Sequence, residues 1–216
     1  MKSLLVVLII LTICSPSFSQ DSSFVPKYAL SFGITDNFTL SSFNMDIAVK
    51  KIFGNSDQLR LFISPRISTL TQDVTIEGNE RTRKLENQSY TIGVGADYLW
   101  TIIKHDDISL FGGTGLIVSY QRGYSKNSIS DSDTTNNTTE TINPTINSGI
   151  RGILGVEWKV SRKIGIHCEY LVTGNYFWGK AEVKTFHNGD IDTNSKSISS
   201  GITLSSNVLF GLSIYF

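Results

Sequence analysis

The sequence has little that would support metal or redox chemistry. It contains only two cysteines and three histidines in 216 residues. Cys14 falls in an N-terminal segment that we interpret below as a removable signal, which leaves Cys168 alone in the mature chain. A single thiol forms no internal disulfide, and it cannot build a metal site from paired thiolates. We therefore predict no cofactor and no metal site.

The chain also lacks an excess of charge of either sign. It has 19 basic and 19 acidic residues, and removing Lys2 with the signal leaves 18 against 19. Without a global electrostatic field, nothing recruits nucleic acid or an anionic surface. Nucleic acid is therefore excluded as a partner. The low proline content, together with abundant Gly, Ser, Thr and aromatic residues, favours an all-β fold.

The single long apolar run lies at the N-terminus, from Leu4 to Ile13. It is too short to anchor the chain as a membrane helix. Lys2 precedes it, and the small residues Ser17 and Ser19 follow it, as in a secretory signal peptide. We predict that residues 1–19 form this signal, so that residues 20–216 are the mature domain.

Cys14 leaves one alternative open, a lipoprotein signal with a lipidated cysteine. Such signals usually place a small residue directly before the cysteine, whereas here Ile13 occupies that position. We therefore interpret Cys14 as an apolar residue of the signal, and we expect Gln20 to be the first mature residue.

The C-terminal segment, from Ile202 to Phe216, alternates between apolar and polar residues. Apolar residues occupy one face except at Ser206, and Thr, Ser, Asn and Gly dominate the other. A period of two predicts a β-strand. The strand runs to the last residue of the sequence, which is the aromatic Phe216.

The same alternation recurs along the whole mature chain. We predict eight strands, at Tyr28–Thr35, Ser41–Lys50, Gln58–Leu70, Gln88–Ile103, Ile108–Gln121, Gly149–Val160, Lys163–Trp178 and Ile202–Phe216. Pro65 predicts a bulge or kink, since proline cannot donate to a ladder. Three polar segments, Thr71–Asn87, Ser125–Asn147 and Gly179–Ser200, are predicted as long loops, and the second is expected to be mobile. Short turns connect most of the remaining strands.

This pattern resembles the small eight-stranded outer-membrane barrels of the OmpA/OmpX type and the outer-membrane β-barrel family common in Bacteroidetes. A terminal Phe after alternating apolar residues is the signal that the assembly machinery of such barrels recognises. The resemblance implies an eight-stranded antiparallel up-and-down transmembrane β-barrel in the outer membrane of a Gram-negative bacterium. It also implies that the partners are membrane lipid and, through Phe216, the assembly machinery. We expect a monomer, with short turns facing the periplasm and long loops facing outward.

Large aromatic residues near the strand ends predict two interfacial girdles. The girdle on the long-loop side comprises Phe43, Tyr90, Tyr120, Tyr176 and Trp178, and the girdle on the short-turn side comprises Tyr28, Tyr98, Trp100, Trp158 and Phe216.

A soluble, lipocalin-like binding barrel is the main alternative fold, with its apolar face inside. The polar face of such a barrel would carry many charged residues and few glycines. Here the polar face is rich in glycine, at Gly93, Gly95, Gly113, Gly115, Gly155, Gly165 and Gly211. Small residues with isolated charges favour a narrow closed lumen, so we place the apolar face in lipid.

The predicted lumen contains charges of both signs. We expect an ionic network of Asp46, Arg60, Arg66, Asp97, Arg151, Glu157, His167 and Glu169, because buried charges persist only when they are paired. The bulky inward residues Phe62, Phe111 and Leu171 narrow the lumen further. We interpret the network as a polar core that plugs the barrel, and a gate or proton-responsive pore is the alternative.

No catalytic constellation is visible. His105 falls in a predicted periplasmic turn, His167 in the lumen and His187 in a long loop. A lipid-modifying hydrolase of the deacylase type needs its His and Ser at the lipid-facing surface, and none of the three meets that condition. We therefore predict that the protein is not an enzyme.

The first functional prediction is a structural or adhesive surface role, with the long loops making the contacts. A small-solute, porin-like channel is the second candidate, and ion conductance would distinguish it. A lipid-modifying enzyme is the third.

Overall fold

The computed structural model of the chain is a closed β-barrel. It describes residues 26–35, 42–53, 57–76, 81–130, 136–188 and 190–216. The predicted signal peptide and the first loop, at residues 36–40, lie outside these ranges. Among the described residues, no helix has the length and apolar character needed to cross a membrane.

Eight antiparallel strands follow one another around the ring. They are β1 (Tyr28–Thr35), β2 (Ser42–Ile52), β3 (Gln58–Ile76), β4 (Arg81–His105), β5 (Ile108–Ser130), β6 (Asn136–Lys159), β7 (Ile164–His187) and β8 (Asp190–Tyr215). Each strand pairs with the next, and β8 closes the ring on β1. The predicted eight-stranded up-and-down antiparallel barrel is confirmed.

The alternation in the sequence becomes an alternation of burial. From Ile164 to Tyr170, exposed and buried residues of β7 alternate strictly, with the apolar residues outward. Inward positions of the same stretch hold Gly165, His167 and Glu169. The apolar face is therefore outside and the polar face inside, which is the reverse of a lipocalin-like barrel.

The pairing register sets the tilt of the strands. A path that starts at Ser31 and steps from each residue to its paired residue on the next strand ends at Thr203 of β8. It passes through Ala48, Phe62, Gly95, Ile117, Gly149 and Asn175. Ser31 itself pairs with Ser213 of β8, ten residues from Thr203, where the path ends. This displacement of ten residues after one turn around the barrel is its shear. For eight strands, this shear corresponds to a tilt of about 40° from the barrel axis.

The three predicted long loops are not loops in the structure, and this prediction was wrong. Strand β3 continues to Ile76, and β4 begins at Arg81. The other two hairpins likewise remain paired almost to their ends, including most of the segment expected to be mobile. These segments show no apolar alternation because neither face of the sheet needs burial there. Their threonines suit a strand, and continuous pairing within each hairpin maintains the ladder.

The predicted bulge at Pro65 is also wrong. Ile47 pairs with Ile63 and Asn44 pairs with Arg66 in one unbroken register. Only the rungs next to Pro65 are missing on the β2 side, because proline has no amide hydrogen to donate. The ladder to β4 continues past Pro65 without interruption.

Candidate functional site: the barrel interior and the projecting sheet

Two rings of aromatic residues border the outward apolar face. The structure exposes Tyr90, Tyr120, Tyr176 and Trp178 at one level, and Tyr28, Tyr98, Trp100, Trp158 and Phe216 at the other. The side chain of Phe43 lies outside the described part of the chain. Tyr90 and Trp100 are ten residues apart on β4, which corresponds to about 25 Å along the axis at this tilt. That height matches the apolar band of barrels that cross an outer membrane.

Asp97 is the centre of the charged cluster inside the barrel. Its carboxylate accepts hydrogen bonds from Nε of Arg60 at 2.8 Å and from Nε of Arg151 at 2.6 Å. A second nitrogen of Arg151 also donates to it. The side chain of Asp97 is fully buried, so these bonds replace the water that it loses. Arg151 also lies over the ring of Phe62, 3.7 Å from its centroid.

The cluster extends across the lumen to β7 and β2. Nη1 of Arg60 donates to Oε1 of Glu169 at 2.6 Å. Nζ of Lys50 lies 3.7 Å from Oε1 of Glu157 and donates to Ser213 at 3.0 Å. Asp46 accepts a hydrogen bond from Ser64 and lies 3.9 Å from Nη1 of Arg151. The strands β2, β3, β4, β6 and β7 thus contribute to one ionic plug, which comprises Asp46, Lys50, Arg60, Asp97, Arg151, Glu157, His167 and Glu169.

Two residues differ from the predicted network. Arg66 faces inward but its side chain is exposed, and it forms no ion pair with any described residue, so the prediction that it joins the network was wrong. It lies nearer the end with the long hairpins, where the lumen opens to water. Lys50 was missed, although it shares the strand face of Asp46. Because the two residues are an even number of positions apart on one strand, the sequence alone indicates that Lys50 faces the lumen as Asp46 does.

Apolar side chains fill the space beside the ionic plug. Leu99, Phe111, Ile153, Leu171 and Leu209 form one buried cluster. Inward glycines make room for these larger groups: a Cβ on Gly155 would lie 2.7 Å from Cε2 of Phe111, and one on Gly33 would lie 2.7 Å from Leu209. Large and small residues therefore interdigitate across the lumen, as expected for eight strands.

His167 is the one histidine with catalytic-type neighbours. Its ring nitrogens lie 3.4 Å from Oγ of Ser31 and 3.3 Å from Oγ of Ser213, and Glu169 is 3.6 Å away. All four residues are buried. The adjoining cavity has a volume of about 10 Å³, which accommodates about one water molecule. A lipid or sugar substrate therefore has no access to this group.

The two other histidines lie apart from the plug. His105 is exposed in the turn that joins β4 to β5, 3.7 Å from the carboxylate of Asp106. His187 is exposed at the far end of β7, where Nδ1 lies 2.7 Å from Oδ1 of Asn137. Among the described residues, no group of three or more His, Cys, Asp or Glu side chains is placed to hold a metal ion.

We call the ring that contains Tyr90 and Trp178 the upper aromatic ring. Beyond it, strands β3 to β8 continue as one sheet, which we call the projecting sheet. On β4 it extends nine residues from Tyr90 to Arg81, about 22 Å along the barrel axis. Charged pairs lie on this sheet, such as Lys84 with Glu86 at 2.7 Å and Lys126 with Glu140 at 3.3 Å. The hydrogen bond from Lys84 holds the pKa of Glu86 below its ordinary value. The inner face of β6 and β8 consists mainly of Ser, Thr and Asn.

No protein-family model matches the sequence, and no curated protein matches it. Several solved structures align with most of the chain. A major outer membrane protein from Thermus thermophilus is 14% identical, with a TM-score of 0.43 over 89% of this chain and 100% of that one. Neisserial surface protein A is 13% identical, with a TM-score of 0.40 over 88% and 96%. Ail, the attachment invasion locus protein of Yersinia pestis, is 10% identical, with a TM-score of 0.31 over 87% and 92%. At these values, no function follows from the likeness.

Proposed function

We propose that this chain is an integral outer-membrane protein whose lumen is plugged and whose projecting sheet makes contacts at the cell surface. The observation that carries the proposal is the division of the barrel at the upper aromatic ring. Below it, the lumen is filled with ion pairs and apolar side chains. Above it, six paired strands rise into solvent.

The outward surface supports the membrane location. Its apolar side chains are exposed around the whole ring, as at Leu116, Ile150 and Phe210. Exposed apolar area on this scale is costly in water and favourable in lipid. All strands at this level belong to a closed ring, so the backbone amides are paired within the sheet.

The interior favours a surface role over a channel. A path through the lumen must pass Arg60, which donates to both Asp97 and Glu169, and all three side chains have almost no exposed surface. Moving one of these side chains aside would leave its partner buried and unpaired. The adjoining cavity holds about one water, which is too little for a continuous aqueous path.

Two measurements test this proposal. Reconstituted in a planar bilayer, the mature protein should show no steady single-channel current, and a reproducible current would establish a channel instead. On intact cells, a membrane-impermeant amine reagent should modify Lys184 and Lys196 of the projecting sheet. Lys104, beside the turn between β4 and β5, serves as the matched internal control and should react only after lysis. The reverse pattern would invert the topology.

The surface role itself is tested by shortening one hairpin. Replacing residues 123–143 by a two-residue turn removes the projecting part of β5 and β6 but keeps the paired residues below it. Cells that express this variant should lose the adhesion to protein-coated or polysaccharide-coated surfaces that the full-length protein confers. Equal adhesion by the two forms would leave the protein with a purely structural role in the membrane.

A further inference from the structure

Two basic residues lie on the outer face of the sheet just beyond the upper aromatic ring. Arg122 of β5 follows Tyr120 by two residues, and Lys180 of β7 follows Trp178 by two residues. Both side chains are exposed. Arg122 pairs directly with Tyr90, whose ring is outward, so the two side chains share that face. Two residues correspond to about 5 Å along the barrel axis, which places both cations at the depth of the lipid headgroups.

The two cations lie in one row across the sheet, with Pro144 of β6 between them. Arg122 pairs with Pro144, and the rungs on both sides of Pro144 keep one register, which aligns it with Lys180. Two interstrand spacings, about 10 Å, therefore separate the Cα atoms of Arg122 and Lys180. The side chain of Pro144 is short, so the two long basic side chains can converge over it on one anion.

Neither cation has an acidic partner within the described part of the chain. Glu182 follows Lys180 by two residues on the same face, but its carboxylate lies 3.4 Å from Nζ of Lys184 instead. Nζ of Lys180 lies 5.2 Å from the ring centroid of Trp178. The ammonium group is therefore directed back toward the aromatic ring, and so toward the membrane.

The outer surface directly below the two cations is apolar. Tyr120, Ile146 and Trp178 form the next outward row toward the membrane, and all three side chains are exposed. An acyl chain would bury this row, whereas a free inorganic anion would not touch it. The combination of a basic pair above and an apolar row below fits an anionic lipid.

We propose that Arg122 and Lys180 bind a phosphate group of a phosphorylated lipid in the outer leaflet. The guanidinium of Arg122 donates two parallel hydrogen bonds to the phosphate, and the ammonium of Lys180 adds a compact positive charge. The acyl chains of the lipid lie along Tyr120, Ile146 and Trp178. This inference rests on the membrane location and orientation proposed above, and it names the lipid partner and its site.

Native mass spectrometry of the mature protein in detergent micelles tests the site, with diphosphoryl lipid A as the probe. One molecule of this lipid should remain bound to the protein. Lipid A without its phosphates keeps the same acyl chains, and its Kd should be at least about tenfold higher, because it lacks the charge that the two cations attract. Inorganic phosphate at the same concentration should not displace diphosphoryl lipid A.

Two double variants locate the site. Arg122→Gln with Lys180→Gln should raise the Kd for diphosphoryl lipid A at least about tenfold. Lys126→Gln with Lys184→Gln is the matched control, since it removes two positive charges from the same two strands, four residues farther from the membrane. That distance is about 10 Å along the axis, more than one screening length at physiological salt, so the Kd should stay within about twofold.

A second measurement applies if the first double variant fails to assemble. In the unaltered protein, bound diphosphoryl lipid A should slow the modification of Lys180 by an amine reagent. Lys196 of β8 lies farther from the membrane and should react at the same rate with or without the lipid. Equal rates at Lys180 with and without the lipid would contradict the site.

Each other outcome also has a defined meaning. Equal retention of the dephosphorylated lipid would reduce the contact to apolar packing, and displacement by inorganic phosphate would make it a free-anion site; either result overturns the lipid site. An unchanged Kd in the first double variant, or an equal rise in the control, would overturn it as well. If Lys184 and Lys196 are not labelled on intact cells, the orientation proposed above fails. If they are labelled but lipid A is not retained, only the lipid site fails.

Discussion

Replacing Asp97 by Ala should destabilise the barrel more than any other single change in the ionic plug. Asp97 accepts hydrogen bonds from both Arg60 and Arg151, so its loss affects two buried cations at once. Arg60 retains Glu169 at 2.6 Å. Arg151 retains only Asp46 at 3.9 Å, a distance too long for a hydrogen bond.

The expected cost follows from the burial of the stranded charge. Removing one partner of a buried ion pair costs about 3–5 kcal/mol, because the other charge remains without water or a counter-ion. We expect about 3 kcal/mol for Asp97→Ala, since Arg151 keeps its contact with the ring of Phe62 and a distant carboxylate. Arg66→Ala is the matched control. Its side chain is exposed, so the free energy of unfolding should change by less than about 0.5 kcal/mol.

Urea unfolding of the protein refolded in lipid vesicles measures both effects, with fluorescence of the three outward tryptophans as the probe. A double-mutant cycle of Asp97→Ala and Arg151→Ala should show that the double variant loses less stability than the sum of the single variants. The reasoning is refuted if Asp97→Ala and Arg66→Ala lower the free energy of unfolding equally. It is also refuted if the losses of stability in Asp97→Ala and Arg151→Ala are additive in the double variant. Either result would mean that water reaches the cluster and screens it.

Two further changes test the packing of the lumen and the closure of the ring. Gly155→Ala should destabilise the barrel by about 1–3 kcal/mol, because its Cβ would lie 2.7 Å from Cε2 of Phe111. Gly152→Ala is the control: no atom lies within 4 Å of its added Cβ, so it should be neutral or stabilising in the same unfolding assay. Phe216→Asp should reduce the heat-modifiable, folded form in outer-membrane fractions, since it removes the ring that stacks on Tyr28 at 6.3 Å and places a charge on the apolar outer face. Phe216→Tyr keeps the ring and should assemble normally, and wild-type assembly of Phe216→Asp would contradict the role of this residue.

The lower half of the barrel could be predicted from the sequence because one physical constraint acts on every residue there. Each outward side chain must be apolar and each inward one must fit a narrow lumen, so the period of two is strict. The predicted bounds of β1, Tyr28–Thr35, match those of the structure. The count of eight strands and the inward direction of Arg60 and Asp97 follow from the same alternation.

The partners within the plug could not be predicted in this way. Asp97 and Arg60 pair directly on adjacent strands, but Glu169 reaches Arg60 from the other side of the ring. That contact depends on the shear of ten residues, which no single strand encodes. Arg66 shows the same limit. Its place in the alternation predicts that it faces inward, but only the pairing register shows that it lies above the ionic plug.

The projecting sheet could not be predicted from the sequence, because its stability has a different origin from that of the lower half of the barrel. With water on both faces, it gains little from apolar burial, and cross-strand hydrogen bonds and threonine pairs hold it together. Inner strands such as β5 and β6 gain these contacts on two sides, whereas the described edges of β3 and β8 gain them on one. The edges are therefore the least supported parts of the sheet.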